Sequence, residues 1–321
     1  MADNFSLSRK FKNPCWYNEE GSLNCLPYMY LVGIPKCGTT DLFGKIIAHP
    51  DFVRPIAKEP GWLSDKRFWP RYMKFGFQGF SQFFSPIAKA LRTATEDQAH
   101  NWITGDFSIN TLEGSHFWQY LGNNKGKMEP IENNPQYIYH MFHGTRIILS
   151  VRNPVNRLWS EYLAFSRREK SPAMFHELVI QQITAFKHCL RKRFLRSCVY
   201  DRALAMCSMM HLRRGLYSVF LADYLSVFPR DQILVHRLED MSDDREHALN
   251  TTYAFLGLHP MSKADLESVS RGGHSNRRRQ ADVSIGDMWL STRTLLYQFY
   301  KPFNEMLAKL LKDSRFEYGL Y

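Results

Sequence analysis

The stretch "GIPKCGTTDL", Gly33 to Leu42, holds the residues whose types and spacing carry the clearest chemistry. Gly33 and Gly38 keep the glycine spacing of a phosphate-binding loop, G-x-x-x-x-G-K-[ST]. Thr39 and Thr40 follow the second glycine, and the lysine, Lys36, lies inside the loop. Successive backbone N–H groups running into a helix N-terminus bind anionic oxygens, and a glycine lets the backbone approach them closely. Thr39 and Thr40 add hydroxyl donors, while Lys36 can stabilise an oxygen that gains charge as a bond breaks. Phosphoryl transfer would also call for Mg²⁺ and an acid at a strand end. Glu239 and Asp240 are the best acids for that task, but neither sits in a clear metal-binding motif. A sulfuryl group carries less charge than a phosphoryl group, so its transfer suits a lysine and backbone donors without a metal. A plain glycine turn between strand and helix is the alternative reading.

A second stretch, "RNPVNRLWSEY" from Arg152 to Tyr162, brings an arginine at a strand end and Ser160 two turns into the next helix. Together they could hold another phosphate. An ordinary helix with polar residues facing solvent is the alternative. Glu59, in "AKEP", is a candidate general base, or a surface ion pair with Lys58 or Arg54.

The elements that must position these residues alternate between strand and helix. Tyr28–Gly33 reads as a buried strand and 39–48 as a helix with Leu42, Phe43, Ile46 and Ile47 on one face. Arg146–Val151 is a second strand, and Asn153 and Pro154 suit the N-cap and first position of the helix after it. Gln232–Asp240 is a third strand, 215–228 an amphipathic helix, and a late helical region is interrupted near Pro302. A strand is expected at "NWITGDFS" within an aromatic, irregular stretch from Phe68 to Asn134. The fold class expected is α/β: a P-loop-like three-layer fold with a central parallel sheet flanked by helices. Residues 1–27 read as an irregular lead-in and 28–321 as one domain.

The chain has 321 residues and is 44% hydrophobic, enough for a sizeable core and unlike a disordered chain. Its 42 basic against 31 acidic side chains give a formal charge of +11. That charge favours an anionic partner, with simple solubility as the alternative. No run approaches the roughly 20 apolar residues that span a bilayer, and the start lacks a signal-peptide core. Cys15 with Cys25, and Cys189 with Cys198, close short loops as disulfides of secreted proteins do, while Cys37 and Cys207 are left over. Asn4 and Asn250 begin glycosylation sequons. Cysteines and sequons together favour a secretory-pathway lumen.

The loop, the Arg152 motif and "AKEP" together resemble the Golgi carbohydrate sulfotransferases, which use 3′-phosphoadenosine 5′-phosphosulfate (PAPS). "NPCWY", "CLPYMYLVGIPKCGTTDL", "CVYDRAL", "GLYSVFLADYLSVF" and "FYKPFNEMLAKLL" resemble the branch that sulfates the 6-O position of N-acetylgalactosamine 4-sulfate in chondroitin and dermatan sulfate. The resemblance runs from about Pro14 to the C-terminus. It implies that Lys36, Cys37, Gly38, Thr39 and Thr40 hold the 5′-phosphosulfate, with Lys36 at the bridging oxygen. It further implies that Arg152 and Ser160 hold the 3′-phosphate, that Glu59 is the base, and that Asn276, Arg277 and Arg278 lie over the nucleotide. Lys58, Trp62 and Ser108 would face the acceptor, an acidic glycosaminoglycan; no metal and no nucleic acid is expected. The implied setting is the Golgi lumen, the chain being a catalytic region or soluble form whose type II membrane anchor is not part of it.

Two departures stand out. Gly61 stands where the family commonly has a histidine, and Phe107 where heparan sulfate enzymes carry a lysine. The arginine clusters Arg167-Arg168, Arg191 to Arg193 and Arg213-Arg214 could track a polyanion or be solvated helix faces. A P-loop kinase or NTPase, and a polyanion-binding module without catalysis, remain alternatives.

Overall fold

The computed structural model describes residues 6–167, 169–206, 210–272 and 280–320. At its centre is a sheet of four parallel strands in the order β4-β3-β5-β6, formed by β3 (Met29–Gly33), β4 (Gly105–Asp106), β5 (Arg146–Val151) and β6 (Ile233–Arg237). Side chains along a strand alternate between faces, and here both faces are covered. Met29 and Leu31 of β3 and Ile148 of β5 pack with Leu42, Phe43 and Ile46 of helix α1 (Thr39–Ile46) and with Leu249 and Tyr253 of helix Arg245–Phe255. Tyr30, Val32, Ile147, Leu149 and Val151 point the other way. They meet Leu158 of helix Pro154–Phe165, Phe220 of helix Tyr217–Leu225 and Tyr300 of helix Leu290–Leu311. This is the expected three-layer α/β arrangement, and it explains why the strands read as unbroken apolar runs.

Several elements differ from their sequence reading. The lead-in is not irregular throughout: β1 (Cys15–Tyr17) and β2 (Leu23–Cys25) form an antiparallel hairpin in which Cys15 and Cys25 are cross-strand partners joined by a disulfide. Phe11, Trp16, Leu23 and Leu26 pack into the main core beside it. The third strand stops at Arg237, because Leu238–Asp243 turns into a short helix. "NWITGDFS" yields only the two residues of β4 and one bridge between Phe52 and Ile103. The late helix runs unbroken from Leu290 to Leu311 through Pro302. Proline deprives one carbonyl of its donor, but Pro302 lies on the exposed side while Tyr300, Phe303 and Leu307 fill the core. The second disulfide joins Cys189 and Cys198. Cys207 and Asn4 lie outside the described residues.

Candidate active site

The phosphate loop leaves the C-terminal end of β3 and enters α1. The loop after β5 emerges beside it, since the two strands are parallel neighbours. In such sheets ligands bind at the carboxyl ends of the strands. Two hydrogen bonds lock the loops together: Ile34 N–H donates to the Ser150 carbonyl at 3.0 Å, and Ser150 Oγ donates to the Cys37 carbonyl at 2.5 Å. Gly38 has φ 76°, a backbone that strains any residue with a Cβ, and a Cβ there would stand 2.6 Å from Leu238 Cδ1 and push that side chain aside. Lys36 is also left-handed, at φ 72°, a conformation that a lysine adopts at a cost. Its ammonium lies 5.8 Å from the centre of the Phe165 ring at the end of helix Pro154–Phe165.

Cys37 supports the loop rather than lining it. Its side chain is buried, its N–H donates to the Ile34 carbonyl at 3.2 Å, and burial pushes its thiol up to about 12. Thr39 is buried as well. Thr40 is half-buried and its Oγ1 accepts from Lys58 Nζ at 2.9 Å. The N–H groups of the first helical turn have no acceptor within the helix, so α1 opens with donors for an anion.

Glu59 reaches the loop through that lysine. Lys58 Nζ also donates to Glu59 Oε1 at 2.8 Å, so one ammonium joins Thr40 to Glu59. The ion pair considered from sequence is therefore present with Lys58, while Arg54 lies against the Phe43 ring. Lys66 Nζ donates to the Glu59 carbonyl at 2.8 Å, and Gly61 N–H donates to Ser108 Oγ at 2.8 Å. Ser108 is buried and acts on the backbone of this segment. Trp62 is core: it is 5% exposed and stacks on Phe80 at 4.9 Å between centroids. Gly61 has φ 65°, and a Cβ there would lie 3.1 Å from the Lys66 side chain, which gives a physical reason for glycine at this position. Next to Ser108, Asp106 is buried, and burial raises its carboxyl to about 6. Its Oδ2 has no partner among the described residues, and Oδ1 accepts from Ser108 N–H at 2.8 Å.

Asn153 caps helix Pro154–Phe165, its side chain accepting from Val155 N–H at 3.0 Å with Pro154 in the first turn. Arg152, Asn156 and Ser160 are half-buried among buried neighbours; Arg152 stands just before the cap, and Asn156 and Ser160, four apart within the helix, share one face. Arg293 of the late helix joins it by donating to Asn156 Oδ1 at 3.0 Å. Asn156 and Arg293 escaped the sequence reading; the i, i+4 spacing from Asn156 to Ser160 was the signal for the first, and nothing local marks the second. Glu239 Oε1 accepts from Asn153 N–H at 2.9 Å while its buried Oε2 has no hydrogen-bond partner among the described residues, and Asp240 pairs with Arg237 and Arg315. Asn276, Arg277 and Arg278 lie outside the described residues.

Arg213 and Arg214 are neither polyanion tracks nor solvated faces; both are buried. Arg214 bridges Glu113 and Glu161 at 2.7 and 2.8 Å, Arg213 pairs with Glu113 at 2.9 Å, and buried Arg157 pairs with Glu161 at 3.1 Å. Burial alone would raise the Glu113 carboxyl, but Arg214 and Arg213 outweigh it and bring it down to about 2. The chain of charges continues outward. Arg213 donates to His116 Nε2 at 2.9 Å, and His116 Nδ1 meets Asp65 Oδ2 at 2.6 Å. An arginine can only donate, so Nε2 accepts and Nδ1 carries the proton. The network thus ties the helix of the second motif to the segment that follows Glu59. Arg193, by contrast, pairs with Asp201, and Arg167 is exposed.

Comparison with known proteins bears on this arrangement. The sulfotransferase domain profile matches residues 130–272, which include β5, the Arg152 motif and β6. Carbohydrate sulfotransferase 15 of Nototodarus sloanii is 36% identical over 138 residues, covering 42% of this chain and 85% of the relative. The chain belongs to the carbohydrate sulfotransferases. Carbohydrate sulfotransferase 15 of Homo sapiens is 34% identical over 307 residues, covering 92% of this chain and 55% of the relative, as is that of Mus musculus. This carbohydrate sulfotransferase chain therefore spans about half the length of those relatives. A sulfotransferase crystal structure from Alicyclobacillus acidocaldarius shares the fold, with a TM-score of 0.55 at 21% identity, over 92% of this chain and 100% of that one. No helix among the described residues is long and apolar enough to cross a membrane.

Proposed function

We propose that this chain is a PAPS-dependent sulfotransferase acting on a hydroxyl of a sulfated glycosaminoglycan. The 6-O position of N-acetylgalactosamine 4-sulfate in chondroitin and dermatan sulfate is the acceptor that the sequence resemblance implies. One observation carries the reading: Lys58 joins Thr40 of an anion-cradling loop to the carboxylate of Glu59, within a member of the carbohydrate sulfotransferases. The donor fits what is there, since Gly38 leaves the cradle free of a side chain and the first turn of α1 offers donors.

In this reading Glu59 takes the proton from the sugar hydroxyl as its oxygen attacks sulfur. The bond from sulfur to the bridging oxygen breaks, and that oxygen leaves on 3′-phosphoadenosine 5′-phosphate (PAP). Lys36 stabilises the charge developing on the leaving oxygen. Arg152 and Ser160 take the 3′-phosphate, with Asn156, held by Arg293, beside Ser160, and the family resemblance assigns Asn276, Arg277 and Arg278 to the nucleotide. Lys58 serves the site; Trp62 and Ser108 support it from behind. Residues 28–321 act as a single domain, in the Golgi lumen, where both disulfides are stable. Thermal unfolding with PAP, ATP or ADP tests the donor: stabilisation by PAP well beyond ADP is expected. Equal effects from all three would remove the 3′-phosphate from the account.

A further inference from the structure

Lys58 sits at a point where two requirements compete. Its ammonium is shared between Thr40 Oγ1 at 2.9 Å and Glu59 Oε1 at 2.8 Å, and it lies 5.9 Å from the centre of the Phe43 ring of α1. The Lys58 and Glu59 side chains are 24% and 40% exposed, so their ion pair is partly hydrated and readily exchanged. The Glu59 backbone is held independently, by Lys66 on its carbonyl and, two residues on, by Ser108 on Gly61. The backbone that carries the carboxylate therefore keeps its place if Lys58 turns away.

We propose that Lys58 couples occupancy of the phosphate loop to the availability of Glu59, by exchanging the Glu59 carboxylate for an anion seated at Thr40. This rests on reading the loop as the 5′-phosphosulfate site. A phosphate at the first turn of α1 presents several charged oxygens next to Thr40 and competes with a single half-exposed carboxylate for the ammonium. Exchange leaves Glu59 Oε1 open to accept a proton from the sugar hydroxyl. The arrangement imposes an order: the donor engages Lys58 before Glu59 can act. Lys58 is in this sense a positioning residue for the base as well as a contact for the donor.

A thermodynamic cycle on PAP affinity, measured by calorimetry without turnover, tests the coupling. Because Glu59 competes for Lys58, Glu59→Gln should tighten PAP binding about three- to tenfold in the presence of Lys58, the size expected of contacting groups. In the Lys58→Met background the same substitution should change affinity less than about twofold, since no ammonium remains to release. Lys58→Gln serves as a second background of similar length. Circular dichroism establishes that each variant is folded. Equal tightening in all backgrounds would mean a general charge effect and would overturn the coupling, as would no tightening with Lys58 present. Absence of PAP binding to the folded wild-type chain would overturn the loop reading itself, and the coupling with it.

Discussion

Gly61 N–H donates to Ser108 Oγ at 2.8 Å, so the segment carrying Glu59 is fastened to the loop after β4. The contact holds a left-handed glycine whose Cβ position is crowded by Lys66 at 3.1 Å. Gly61→Ala should therefore destabilise the fold by about 1–2 kcal/mol, the cost of a left-handed backbone for a residue with a Cβ. Urea unfolding measures it. An unchanged midpoint would show that the segment relaxes freely.

The buried ionic network makes a sharper demand. Glu161 carries Arg157 at 3.1 Å, Arg214 at 2.8 Å and His211 at 3.1 Å, with Glu161 and Arg157 fully buried. Glu161→Gln leaves buried Arg157 without its carboxylate and Arg214 with Glu113 alone, and a loss of about 3–5 kcal/mol is expected. Equilibrium denaturation would read this as a large fall in midpoint at constant slope. A loss below about 1 kcal/mol would mean that water reaches the site.

Asp106 predicts a pH dependence. Burial raises its carboxyl to about 6 from an ordinary 3.8, so the folded chain binds this proton more tightly than the unfolded one. Its contribution is fully present below about pH 4 and is lost as the pH rises through about 6. At 1.36 kcal/mol per tenfold, the whole effect is on the order of 3 kcal/mol. Asp106→Asn should therefore gain stability relative to wild type as the pH rises from about 4 to about 7 and hold that gain above it, as followed by melting temperature across the range. A difference independent of pH would place the titration elsewhere.

Arg152 is the test of the second motif. If it holds a 3′-phosphate, Arg152→Ala should weaken PAP about ten- to hundredfold, the worth of a hydrogen bond to a charged group, and leave ADP unaffected. Equal losses for both nucleotides would assign Arg152 to the rest of the ligand.

Much of this was legible in the sequence where local chemistry decides structure. The strand-loop-helix of Met29 to Ile46, the strand Arg146–Val151, the cap at Asn153 and both disulfides follow from apolar runs, turn residues and cysteine spacing. Long-range pairing was not legible. Arg213 and Arg214 look like surface charge until the fold brings Glu113 and Glu161 to them from about 100 and 53 residues away. Trp62, expected to face the acceptor, proves to be core stacked on Phe80. Pro302 looks like a break until its face of the helix proves exposed. The link from Lys58 to Thr40 spans 18 residues and joins two motifs that the sequence presents separately.

The most direct measurement is transfer itself. Labelled PAPS is incubated with the chain and 4-sulfated chondroitin, dermatan or heparan chains, and the products are digested to disaccharides. The account predicts label in the disaccharide bearing 4,6-disulfated N-acetylgalactosamine, and none when Glu59→Gln replaces the wild-type chain. A folded, PAP-binding chain that labels no glycan, or a Glu59→Gln variant that labels as well as wild type, would contradict it.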